Sequence, residues 1–287
     1  MNPNKITIGV VTHPNSPHPR LVWEKSTKEF LEYFKSIGFT VSTSICADNG
    51  FSKNSISLFR IWKSKIANLV LSLRWYNLEI HKTSKYGLIK LIFRATKNFV
   101  FYQIKTITST DFRNQEKKTF RRSVNISLAH ISIFKESYLR NDNFLLIIED
   151  DSRFEKSKVI SNDLQRFVEI CLKQTALPAF VNLSKSLSWK QLQLSDLYEM
   201  KKYLNVTPNI YLPSLMFHNT TCANLYNTQY ISKFNTDWKF QIEKYVWLGI
   251  PFDWIINALI MKLPTNELLT FHLHKPLVIQ GSMHPLK

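Results

Sequence analysis

Three consecutive carboxylates, Glu149, Asp150 and Asp151, close the apolar run from Asn143 to Ile148. Leu, Ile and Phe over so short a span predict a buried strand. Acids directly after it sit where an α/β sheet opens to solvent, the edge at which such proteins hold ligands. In an extended chain alternate side chains share a face, so Glu149 and Asp151 point one way and Asp150 the other. Two carboxylates on one face suit Mn²⁺ or Mg²⁺, which takes one or two of them and completes its shell with water and substrate phosphates. The plain alternative is a strand that ends in solvated acids.

The rest of the chain limits what could surround these acids. Its 287 residues suffice for one large domain or two small ones, and 44% hydrophobic content supplies a full core. Gly is scarce, and neither a G-x-G-x-x-G nor a Walker-type sequence occurs, which removes support for dinucleotide-binding and P-loop proteins. The net charge of +17 calls for anionic partners: nucleic acid, acidic lipid or phosphorylated substrates. Cys46, Cys171 and Cys222 are few and far apart, matching neither a metal spacing nor a disulfide framework and favouring a reducing compartment. No stretch has the length of a membrane span, and the start of the chain does not read as a signal peptide. A cytoplasmic protein is expected, with the inner membrane face as a place it could bind.

Positioning the acids requires a sheet. Ile6–Thr12 and Thr40–Cys46 predict strands, and Glu24–Ile37 between them a helix with Phe30, Leu31 and Phe34 on one face and Gly38 at its end. Strand, helix, strand opens an α/β sheet. Residues 51–115 differ: they carry twelve basic residues against Glu79 and Asp111, interleaved with aromatic and aliphatic side chains. They predict a basic, mostly helical insertion, either a surface for an anionic membrane or ordinary core with a solvated basic face. Lys117–Arg122 reads as a basic cluster opening a helix that continues through Val124, Leu128, Ile131, Phe134 and Tyr138. Val159–Lys173, Gln193–Lys202 and Phe252–Met261 predict further helices. Phe180–Leu183, Leu215–Phe217, Ala223–Tyr226 and Leu277–Ile279 predict strands or extended pieces. With no repeat and no linker, residues 1–287 read as a single α/β domain carrying the insertion.

Several segments, in order, resemble glycosyltransferase family 25, the lipopolysaccharide and procollagen galactosyltransferases. They are Ser127-Leu-Ala-His130 with Ile131-Ser-Ile-Phe134, Leu146-Ile-Ile-Glu-Asp-Asp151, Thr221-Cys-Ala-Asn-Leu-Tyr226, Pro251-Phe-Asp-Trp254 and Pro276-Leu-Val-Ile-Gln-Gly-Ser282. The resemblance covers roughly residues 120–283. Arg122 and Ser123 stand where that family has Gly-Glu, and Ala129 where it has Ser. The resemblance implies a GT-A-like (Rossmann-like) fold, a mixed sheet flanked by helices that binds a nucleotide sugar at its strand ends. It implies transfer of a hexose, from a UDP-sugar in the first place, to a hydroxyl of a surface glycan or lipid-linked saccharide, as in lipopolysaccharide biosynthesis, with inversion.

Under that resemblance Glu149-Asp150-Asp151 plays the part of a DxD motif. Glu149 and Asp151 would hold Mn²⁺ or Mg²⁺, with a late histidine, His284, as a further ligand, and Asp150 could touch the donor sugar. Asp253 would take the acceptor proton; an ordinary N-cap aspartate is the alternative. His130 could hydrogen-bond the donor diphosphate or orient a metal-binding carboxylate, or be a satisfied core histidine. Arg121 and Arg122, at an expected helix start, could neutralise phosphate or be solvated. Asp48, ending the second strand, could meet ribose or base, or form a turn. Thr221 and Asn182 could meet a sugar. Two rival readings stay open. One is a non-catalytic basic protein that binds nucleic acid or membrane. The other is a metal-dependent phosphoryl-transfer enzyme, for which further clustered carboxylates or a nucleophile would be needed.

Overall fold

A computed structural model of the chain describes residues 4–12, 20–47, 56–80, 85–154, 162, 165–166, 168–169, 177–184, 203–205, 210–213, 222–263, 267–273 and 276–280. Strand β1 (Lys5–Thr12) and strand β3 (Phe144–Glu149) are apolar on both faces and buried on both, as central parallel strands must be. They lie side by side in parallel, and β2 (Thr40–Ala47) pairs with the other edge of β1. Helix α1 (Arg20–Ser36) covers one face with Phe30 and Phe34. It stops where Gly38 takes φ 88°. The Phe39 N–H returns to the Phe34 carbonyl at 3.0 Å, and the two rings meet edge to face, which closes the helix end with both a hydrogen bond and an apolar contact.

The sheet body has the order β2-β1-β3-β8-β5-β9, with β7 and β6 added beside β9. Here β4 is Ser152–Phe154, β5 Ala179–Asn182, β6 Tyr203–Asn205, β7 Ile210–Pro213, β8 Ala223–Asn227 and β9 Leu269–Leu273. Strand β8 runs antiparallel to both β3 and β5, while β5 and β9 are parallel. The protein is therefore an α/β fold with a mixed sheet flanked by helices. A separate pair joins β4 to β10 (Val278–Gln280). The chain leaves β1 for β2 on one side and returns to β3 on the other. That reversal makes the crevice between the ends of β1 and β3 a topological switch point, the place where open α/β sheets bind ligands.

The second face is covered by α4 (Thr110–Leu139), α5 (Thr228–Asn235), α6 (Lys239–Trp247) and α7 (Phe252–Ile260). Val11, Leu145 and Ile147 point into this layer; Ile6, Ile8, Val10, Leu146 and Ile148 point toward α1. Helix α4 lies very close to the sheet. A Cβ on Gly9 would stand 2.4 Å from Ile133 Cγ2, so only glycine fits beneath that side chain.

The basic insertion is helical as expected: α2 (Leu58–Ile80), α3 (Lys85–Thr108) and the first turns of α4. One expectation is corrected. Lys117–Arg122 does not open a helix, because α4 begins at Thr110, capped by the Ser109 hydroxyl, which accepts the Phe112 N–H at 3.2 Å. No Gly or Pro interrupts residues 110–122, so the helix runs straight through the basic cluster. Strands β4, β6 and β7 are too short to show a period, whereas β9 alternates Leu269, Phe271 and Leu273 with polar residues and α5 buries Tyr230, Ile231 and Phe234 on one side behind the Asn227 cap, signals that the expectations above do not include. The stretches read as a helix at Gln193–Lys202 and a strand at Leu215–Phe217 lie outside the described residues.

Gly9→Ala should destabilise the protein by about 1–3 kcal/mol, the usual cost of overpacking a tight core. In urea titrations the Gly9→Ala, Ile133→Ala pair should lose less than the sum of the two single changes, by more than about 0.5 kcal/mol. Strict additivity would show that the contact does not set the helix–sheet distance.

Candidate functional site

The acid segment is pinned on both sides by its own backbone. The Glu149 N–H donates to the Cys222 carbonyl at 2.8 Å, and the Asp150 N–H to the Val11 carbonyl at 3.0 Å. The Ser152 hydroxyl donates to the same Cys222 carbonyl at 2.7 Å and lies 3.2 Å from the Cys222 sulfur. Thr12, at the end of β1, donates its hydroxyl to Asp150 Oδ2 at 3.4 Å. The three acids therefore stand over the β1/β3 switch point, held from β1 on one side and from the start of β8 on the other.

Strand geometry ends at Glu149. Residues 150 and 151 form a turn, so the alternation that would put Glu149 and Asp151 on one face does not reach Asp151. What the two share is a neighbourhood: Asp151 is buried, and both charges act on the Cys222 thiol. Burial, then Glu149, pushes that thiol well above its ordinary range despite the Ser152 contact, so Cys222 stays protonated and is no thiolate nucleophile.

Glu149 ends β3 in register with Leu145 and Ile147, facing the α4–α7 layer. There it meets His130, fully buried on α4, with 3.6 Å from Nε2 to Glu149 Oε1. Among the described residues neither imidazole nitrogen has a hydrogen-bond partner. The ring lies flat on Phe252, centroids 4.1 Å apart and planes 8° from parallel. His130 is thus fixed by stacking and aimed at one carboxylate, which suits orienting Glu149. The next residue along α7 is Asp253. Burial of its carboxyl, with a contribution from the Glu149 charge, pushes it from 3.8 up to about 6, although the Trp254 N–H donates to Oδ1 at 2.9 Å and pulls the other way. Pro251, not Asp253, holds the cap position of α7, but the Asp253 carboxylate does accept a first-turn amide, the Trp254 N–H.

Position of α7 depends on the turn before it. Gly249 adopts φ 66° and packs so tightly that a Cβ would stand 2.4 Å from the Phe120 ring. The Ser127 hydroxyl donates to the Ile250 carbonyl at 3.5 Å. Helix α4 therefore carries His130 itself and also anchors the turn that delivers Phe252 and Asp253.

The structure brings Glu149, Asp150, Asp151, His130 and Asp253 to one edge of the sheet. Arg121 and Arg122 stand in the middle of α4, where backbone amides are already used within the helix, so they do not form the expected helix-start phosphate site. Asn182 is buried, and its Oδ1 accepts the Ser184 N–H at 2.9 Å and the Ser184 hydroxyl at 2.8 Å; it shapes a turn at the end of β5. Asp48, Thr221 and His284 lie outside the described residues. Pairing of Gln280 with Ser152 nevertheless brings the C-terminal strand beside the acid turn. The packing of Gly9 beneath Ile133 and the contacts of Ser152 and Cys222 with the acid turn are not evident in the sequence; a glycine inside a β-branched strand is the one available signal, marking close backbone approach. Among the described residues, no group of three or more His, Cys, Asp or Glu side chains converges in a way that could hold a metal ion. No family model matches the chain, and a search of curated proteins finds no match.

Asp253 makes stability pH-dependent in a definite direction. Its folded value is raised, so the fold binds this proton more tightly than the unfolded chain does. Its contribution is most favourable below the unfolded value, declines as pH rises from about 4 to about 6, and is constant above. Asp253→Asn should therefore raise Tm by a few degrees at about pH 8 and leave it nearly unchanged at about pH 4. Calorimetric scans at the two pH values check this; an equal change at both would separate the effect from ionisation.

Proposed function

We propose that this protein is a metal-dependent glycosyltransferase of GT-A-like fold that moves a hexose from a nucleotide sugar, UDP-sugars first among them, onto a hydroxyl of a surface glycan or lipid-linked saccharide. The observation that carries the reading is the juxtaposition at the switch point. Three consecutive carboxylates begin at the end of β3; the first, Glu149, meets His130, which stacks on Phe252, the residue before Asp253 at the start of α7. The mixed sheet with its reversed strand β8, and the resemblance of the ordered segments to glycosyltransferase family 25, are consistent with it.

The donor set suits a hard divalent ion. Glu149 and Asp151 would supply carboxylate oxygens, and a site that offers only one or two protein ligands is the kind Mg²⁺ or Mn²⁺ completes with water and a diphosphate. When bound, the ion would supply positive charge against the departing nucleotide. The remaining chemistry belongs to the chain. The acceptor oxygen attacks the anomeric carbon, the bond from that carbon to the diphosphate oxygen breaks, and the hydroxyl proton passes to the Asp253 carboxylate. A base near 6 is largely ionised at neutral pH yet basic enough to take that proton as the bond forms. His130 keeps Glu149 in place, and Asp150 turns toward Thr12 and the opposite side of the crevice.

Incubation with a panel of nucleotide sugars and Mn²⁺ should give slow nucleotide release with one of them, and that donor should raise Tm. Glu149→Gln should remove the metal dependence with the release. Asp253→Asn should cut transfer to an acceptor by about 10²–10⁴ while donor binding persists. Absence of both release and thermal stabilisation across the panel would overturn the reading.

A further inference from the structure

Helices α2 and α3 carry apolar residues on two sides, and among the described residues only one side is packed against the body. The inner face of α3 is held by Tyr102, whose hydroxyl donates to Glu116 at 2.9 Å while its ring packs edge-on against Phe112. Lys65 of α2 joins the same carboxylate at 2.7 Å. Ile61 and Leu71 give α2 its own buried side. Outward from these contacts, α3 shows Ile89, Phe93, Val100, Ile104 and Ile107, at spacings that place them on one stripe, with exposures from 50% to 75%. On α2, Phe59, Trp62 and Val70 are likewise exposed, Phe59 and Trp62 stacked with centroids 6.1 Å apart and Lys63 over the Phe59 ring at 4.5 Å. Singly exposed apolar residues are ordinary; a stripe along a 24-residue helix is not.

Charge says what covers this stripe. Helix α3 contains Lys85, Lys90, Arg94, Lys97 and Lys105 and no acidic residue. Lys97 stands within the stripe, between Phe93 and Val100, and is exposed. A second copy would set like charges against one another, where a helix pair needs complementary flanks. Nucleic acid would match the lysines but not a row of aliphatic side chains, which cannot stack on bases. Aliphatic and aromatic groups flanked by lysines match the acyl boundary and headgroups of an anionic bilayer. No described helix is long and apolar enough to cross a membrane, so the fit is to a surface.

We propose that the outer faces of α3 and α2 are a docking surface for an anionic lipid bilayer, with α3 lying in the plane of the interface. The inference stands apart from the catalytic reading, since it uses no residue of the acid turn. Full-length protein should float with equimolar phosphatidylcholine–phosphatidylglycerol vesicles at about 0.1 M salt, release as salt is raised to about 0.5 M, and bind pure phosphatidylcholine weakly. Phe93→Ser with Ile104→Ser should lower partitioning about tenfold or more. Lys97→Glu with Lys105→Glu should do the same on anionic vesicles and leave the weak neutral binding unchanged. All four positions are exposed, so both variants should keep the wild-type circular dichroism and Tm. Wild-type protein that fails to float with anionic vesicles, or variants that float as well as wild type, would overturn the proposal. So would a stable dimer that the serine variant converts to monomer with vesicle binding unchanged, since a second copy would then be the occupant.

Discussion

The contact of Gly9 with Ile133 governs this structure. A missing Cβ on the first strand lets α4 settle against the sheet at a distance no other residue would permit. His130 lies one turn before Ile133 on the same helix, so the approach that seats Ile133 also brings the imidazole to the Glu149 carboxylate. Farther back along α4, Phe120 fills the space over Gly249 and Ser127 reaches the Ile250 carbonyl. Helix–sheet distance, orientation of the imidazole and placement of α7 thus follow from one close approach. Interiors packed like organic crystals transmit such a constraint rather than absorbing it.

Charge at the switch point follows from that packing. Glu149 is the last residue of a strand otherwise buried on both faces, so its carboxylate sits at the boundary between a low-dielectric layer and solvent. Its field is felt by the Cys222 thiol, the Tyr226 hydroxyl and the Asp253 carboxyl, each pushed upward, with burial the larger cause each time. Of the three only Asp253 is moved into the range where it exchanges a proton near neutral pH. Keeping a carboxylate in that setting costs folding stability at neutral pH, a burden proteins commonly carry where a side chain must do chemistry.

The helical insertion uses its residues differently. A helix needs one apolar side to join a core; α2 and α3 have that side and a second apolar one outside it. Aromatic and aliphatic side chains there are neither all core nor all surface. The inner set, with Tyr102, Glu116 and Lys65 linking α3, α4 and α2, fixes the helices to the body, and the outer set faces solvent among lysines.

Period and composition alone made the βαβ opening, the buried strand ending in acids, the helix at Asp253 and the helical nature of residues 51–115 legible, because these depend on local spacing of apolar residues. Other features could not be read locally. The start of α4 was displaced because a basic cluster resembles a boundary, while the true cap, Ser109, is an inconspicuous serine among threonines. Strand β8 was legible as a strand at Ala223–Tyr226, but its antiparallel direction and the order of the short strands around it depend on pairing partners far away in the chain. Strand alternation stops at Glu149, short of Asp151, since where a strand stops is decided by backbone hydrogen bonds to Val11 and Cys222, not by side-chain type. Residue types and their spacing fix which positions carry charge and which spans are buried, because both are properties of a local stretch of chain. Folding in three dimensions set the His130–Glu149 contact, placed Asp253 within the field of Glu149 and left one apolar side of α3 uncovered among the described residues, because each outcome depends on distances between elements remote in sequence.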